Sequence, residues 1–91
     1  MNLDSLYAVP AGIHFRREEF GGIVYRRRDD RLFFLNSPMT VRMLELAGTG
    51  TVREIAARIK PGVADDQAVR EHVLKVLWSL KELGIVYEQS N

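Results

Sequence analysis

The chain has no cysteine, so disulfide staples, thiolate nucleophiles and cysteine-bound metals are all excluded. Histidine is almost as scarce. His14 falls in an alternating segment and His72 in a helical one, without the spacing that metal ligands need. No apolar run approaches the roughly 18 residues that a membrane span requires. Neither sign of charge dominates: 13 Lys and Arg face 12 Asp and Glu, a formal charge of +1, which gives no reason to expect a polyanionic partner. The opening residues, Met1-Asn2-Leu3-Asp4-Ser5, carry an acid where a secretory signal would carry basic residues. A soluble, cytoplasmic protein without metal or cofactor is expected.

What remains is ordinary globular composition, 46% hydrophobic and 27% charged, over 91 residues. A chain of this size buries only about two-thirds of its unfolded surface, so a catalytic cleft on top of a core is hard to accommodate. One domain is expected, with residues 1–11 as an N-terminal arm, 12–36 as a sheet, and 37–88 as three helices and a short tail.

The periodicity changes midway. Ile13-His14-Phe15-Arg16-Arg17 alternates as a half-buried strand does. Phe20 to Arg27 forms a second run, with Gly21-Gly22 marking a bulge or a close backbone approach. Arg28-Asp29-Asp30 supplies turn chemistry, and Arg31-Leu32-Phe33-Phe34-Leu35 makes a third, aromatic-rich strand. Ser37 then caps a helix whose first position is Pro38. Gly48-Thr49-Gly50 stops that helix, and Thr51 with Glu54 forms a capping box for the next. Pro61-Gly62 ends the second helix, and Asp65-Asp66 opens a longer third one that reaches about Leu83, with Gly84 as its C′ residue. The tail Ile85-Val86-Tyr87 is expected to pack back on the body. The order predicts an α+β, winged-helix-like fold: a three-stranded antiparallel sheet followed by three helices.

Two features suggest a binding surface. At 100° per residue, Val69, Val73, Val76, Leu80 and Leu83 form one stripe of the third helix. Arg70, Leu74, Leu77 and Lys81 fall on one flank, and Trp78 lies nearly opposite the stripe. That flank either packs against the sheet or the arm, or walls a groove in which Arg70 and Lys81 fix an acidic ligand. The second feature is the strand 31–35, which comes last in the meander and so sits at a sheet edge. Leu32-Phe33-Phe34-Leu35 lacks the charge or proline that usually blunts an edge. Either the N-terminal residues 1–10 cover it, or a foreign strand adds there.

Leu35-Asn36, Leu44, Leu46, Gly48 to Gly50, Thr51-Val52-Arg53-Glu54-Ile55-Ala56, Val69, Val73, Leu77, Leu80 and Leu83-Gly84-Ile85-Val86 together resemble the PqqD-type precursor-peptide recognition element. Within that group, Arg17-Glu18-Glu19-Phe20-Gly21-Gly22-Ile23-Val24-Tyr25 is similar to the mycofactocin-type, MftB-like chaperones. The resemblance implies a peptide chaperone that binds the leader of a ribosomally made precursor and delivers it to a radical SAM maturase. It implies that the leader adds beside Arg31, Leu32, Phe33, Phe34 and Leu35 and lies against Arg70, Leu74, Leu77, Trp78 and Lys81.

Three rivals come from other classes. Winged helices often bind DNA, and Arg16, Arg17, Arg26, Arg27, Arg28 and Arg31 concentrate on the sheet. The third helix, however, carries Asp65, Asp66, Glu71 and Glu82, which suits phosphates poorly. The arginines can equally face water or dock an acidic surface on the maturase. An enzyme needs a nucleophile, a base and an orienting group together, and none assembles here. A homodimer paired through the same sheet edge is the third alternative.

Overall fold

Apolar side chains at every second position give the first half of the chain a sheet with one dry face and one wet face. The computed structural model describes residues 3–59 and 67–89. Strands β1 (Leu6–Ala8), β2 (Ile13–Glu18), β3 (Gly21–Arg26) and β4 (Arg31–Leu35) precede helices α1 (Pro38–Leu46), α2 (Val52–Ile59) and α3 (Gln67–Glu82), and strand β5 (Tyr87–Gln89) follows. The expected meander is present in the order β2-β3-β4, antiparallel throughout. Its dry face carries Ile13, Phe15, Val24, Phe33 and Leu35, all in or against the core. Its wet face carries His14, Arg16, Tyr25, Leu32 and Phe34.

The helices start and stop where the capping residues dictate. Ser37 Oγ accepts from the Thr40 N–H at 3.3 Å, ahead of Pro38. Thr51 and Glu54 close their box at 2.9 and 3.2 Å, and the Thr51 N–H, with the Thr51 hydroxyl adding to it, holds the Glu54 carboxyl below its ordinary pKa. Gly84, at φ 75°, ends α3 with its N–H on the Lys81 carbonyl at 2.9 Å. The expected helix end at Pro61-Gly62 and helix start at Asp65-Asp66 lie outside the described residues.

Gly22 has a packing reason of its own. A Cβ there would lie 2.5 Å from Val41 Cγ2 and 2.9 Å from the Arg16 carbonyl oxygen, so only glycine lets α1 rest on β3. The ion pair Arg17–Glu45 at 2.6 Å ties β2 to the other end of α1. Val41, Met43, Leu44, Ile55, Val73, Leu77 and Leu80 then fill the space between helices and sheet.

The arm is not loose. β1 pairs antiparallel with β5, Tyr7 opposite Glu88, in a ribbon separate from the main sheet. The Ser5 and Leu3 carbonyls accept from Val52 and Arg53 at 3.1 and 2.9 Å, satisfying first-turn donors of α2 that would otherwise lack partners. The arm therefore serves α2 and β5 and does not cover β4. Behind β5, Ile85 and Val86 are buried as expected for the tail. Tyr7 is fully buried, and its hydroxyl has no hydrogen-bond partner among the described residues. That burial, with the charge of Glu88, raises its pKa.

Candidate peptide-binding site

β4 is an edge strand, and its hydrogen-bond phase can be worked out. The Arg27 N–H donates to the Gly12 carbonyl at 2.9 Å, one register step beyond the pair Ile13–Arg26. In an antiparallel ladder the bonded residues alternate, so Tyr25 and Ile23 direct their N–H and C=O groups at β2. Arg26, Val24 and Gly22 therefore direct theirs at β4, where they meet Arg31, Phe33 and Leu35. That leaves the N–H and C=O of Leu32 and Phe34 pointing away from the sheet. No backbone partner reaches either residue on that side among the described residues.

The side chains alternate with the same period. Leu32 and Phe34 are 53% and 62% exposed on the wet face, where the Phe20 ring sits 6.3 Å from that of Phe34. Phe33 and Leu35 are partly buried on the dry face. The Phe33 ring is held between two guanidinium groups, Arg26 at 5.0 Å and Arg31 at 5.3 Å.

Arg26 is the residue that sequence reasoning undervalued. It is 8% exposed and grips Asp29 with Nε and Nη2 at 2.9 and 2.7 Å. Its remaining nitrogen donates to the Leu83 carbonyl at the end of α3. The bond from Arg26 holds the Asp29 carboxyl below its usual range, with Arg28 and Arg31 adding to the effect. The β3–β4 turn and the C-terminal end of α3 are thus latched together. Two positions after Val24 in a strand, Arg26 had to face inward, and that alternation was the available signal.

Of the flank chosen on α3, Leu77 needs correction. Leu77 is fully buried in the core and presents nothing to a groove. Lys81 reaches Glu88 of β5 at 3.5 Å, helping to keep that carboxyl below its ordinary pKa, although a hydrogen bond from Ser5 contributes more. β5 belongs with β1, and β1 leads into β2, the edge opposite β4. Arg70, Leu74 and Lys81 share one flank, with Trp78 beyond it, and the Lys81 ion pair sets this side toward β5. Trp78 is 46% exposed there. The other flank carries Val69 and Val76, both partly buried, and Leu83, which is exposed and not in the core as expected. The buried centre of α3 lies among Val73, Leu77 and Leu80, roughly 45° from Val69. His72, expected beside that stripe, is exposed.

A sheet edge with outward, unpaired backbone groups is a geometry for an extended chain. Residues 6–87 match the peptide chaperone MftB family. The chain belongs to the peptide chaperone MftB family. No curated protein matches it. Among solved structures it is similar to a lasso peptide synthetase B1 complexed with the leader peptide, at TM-score 0.68 and 14% identity, covering 89% of this chain and 96% of that one. That likeness shows the fold. Among the described residues no three His, Asp or Glu side chains converge as a metal site, and no helix is long and apolar enough to cross a membrane.

Proposed function

We propose that this chain captures the leader of a ribosomally made precursor peptide along β4 and presents it to a radical SAM maturase. The observation that carries the reading is the outward N–H and C=O of Leu32 and Phe34 along the uncovered edge of the sheet. The leader completes the sheet as a further strand, next to Arg31, Leu32, Phe33, Phe34 and Leu35. Its alternate side chains lie over Phe33 and Leu35 and meet α3.

Energetics assign the parts their roles. Two outward residues offer four backbone bonds, worth about 2–6 kcal/mol at 0.5–1.5 each. Ordering a disordered segment costs a similar 2–5 kcal/mol. Backbone pairing alone therefore gives sequence-tolerant contact and little net affinity. The apolar anchors supply the surplus.

Family membership supports a chaperone over a catalyst. Against the DNA-binding alternative, much of the arginine cluster is engaged internally: Arg16 with Glu18, Arg17 with Glu45 and Arg26 with Asp29. A homodimer through β4 would use the groups assigned to the leader, so the two readings compete for one edge. Calorimetric titration with the cognate leader, followed by gel filtration with the maturase, tests the proposal. One-to-one binding and a ternary complex are expected. A leader that binds equally well after β4 is blocked by proline would overturn it.

A further inference from the structure

Residues 26–31 bring four arginines and two aspartates to the turn that opens β4. Both oxygens of Asp29 are taken by Arg26, and Asp30 accepts from the Tyr25 hydroxyl. Among the described residues neither Arg28 nor Arg31 has an ion-pair partner. Both are exposed, and both lie close enough to Asp29 to act on its charge. Arg31 projects on the dry face of β4, over Phe33. Arg28 lies beside Gly84, where α3 ends. The two unneutralised cations therefore stand at the one end of the groove where edge strand and helix are latched.

From this placement we infer that Arg31, assisted by Arg28, forms a subsite for a carboxylate side chain of the bound peptide. The inference rests on the strand-addition reading above and sharpens it into a sequence pattern. A strand paired with β4 sets one residue opposite Arg31 and others opposite Phe33 and Leu35, all with side chains on the dry face. Facing Cβ atoms in such pairs lie about 4.5–5.5 Å apart, within reach of a guanidinium for Glu or Asp. The peptide read by this chain therefore carries an acid, then an apolar residue two positions away, then another two positions further on. The order along the peptide depends on whether it runs parallel or antiparallel to β4. Stacking of Arg31 on Phe33 fixes the plane of the guanidinium and leaves its N–H edges for the carboxylate.

Fluorescence anisotropy with the whole chain tests this. The probes are labelled strand-forming peptides built on the acid-x-apolar-x-apolar pattern in both orders, with Glu, Gln or Lys at the acidic position. In one of the two orders Glu is expected to bind about five-fold more tightly than Gln, the upper end for a solvent-accessible pair, and the preference shrinks as salt is raised. Arg31→Gln brings the ratio close to one, and Arg31→Glu moves the preference to Lys; thermal melts establish that both variants are folded. Equal binding of Glu and Gln peptides at low salt, with Phe34→Pro still binding more weakly than Phe34→Ala, overturns the carboxylate subsite and leaves strand addition standing. Failure of every probe and of the cognate leader to bind overturns both.

Discussion

Replacing Phe34 by proline separates the backbone of β4 from its side chains. The Phe34 N–H points out of the sheet, so proline there removes a donor used only by an added strand and spares the ladder to β3. Phe34→Ala is the reference, because it removes the same exposed ring and keeps the N–H. One backbone bond is worth about 0.5–1.5 kcal/mol net, so the leader's Kd should rise by roughly two- to thirteen-fold from Phe34→Ala to Phe34→Pro. Clash of the ring with the incoming strand adds to that, and the melting temperature should barely move. Phe33→Pro is the counterpart. Its N–H bonds to Val24, and removing it orphans a buried carbonyl at about 1–3 kcal/mol, so this variant should lose stability. Calorimetry for binding and thermal melts for stability give the four numbers needed. The reasoning is refuted if Phe34→Pro binds like Phe34→Ala, or if the losses of stability fall on the opposite residues.

Leu83→Asp should weaken leader binding by roughly five-fold or more, since it places a charge on an exposed apolar wall, while Trp78→Ala on the flank turned toward β5 should leave affinity within about two-fold; the same titration reads both. Tyr7→Phe removes a buried hydroxyl that has no hydrogen-bond partner among the described residues and should be neutral or stabilising by about 1 kcal/mol, seen as an unchanged or higher Tm. The carboxyls of Asp29, Glu54 and Glu88 all sit below their ordinary pKa values when folded. Their contribution is therefore complete above the unfolded carboxylate range and is lost as pH falls through it and down past the folded values. Melts across that acidic window should show a falling Tm, and Asp29→Asn should make the fall shallower.

The parts of the fold that rest on local chemistry were legible in the sequence. Alternation marked the three strands of the meander, Ser37-Pro38 and the Thr51–Glu54 box marked two helix starts, and Gly84 marked a helix end. The edge position of β4 followed from its being last in the meander. Three things were hidden, each because it depends on contacts far apart in the chain. β1 and β5 are three residues each, too short for a period, and they pair across some eighty positions. The Arg26 latch joins a strand to a helix end through a carbonyl, which leaves no side-chain pattern to read. The full burial of Leu77 and the exposure of Leu83 were not legible because both are apolar, and helical spacing puts each at a margin of the stripe. The burial of Val73, Leu77 and Leu80 and the ion pair of Lys81 with β5 show how the helix is turned.

Amide hydrogen exchange at residues 31–35, read one residue at a time by NMR with and without the cognate leader, bears most directly on the central claim. In the free chain the Phe33 amide should exchange slowly and those of Leu32 and Phe34 quickly. Saturating leader should slow Leu32 and Phe34 and leave Phe33 unchanged. Protection of Leu32 and Phe34 before any peptide is added, or no change in either once the leader is bound, would contradict an open edge completed by a guest strand.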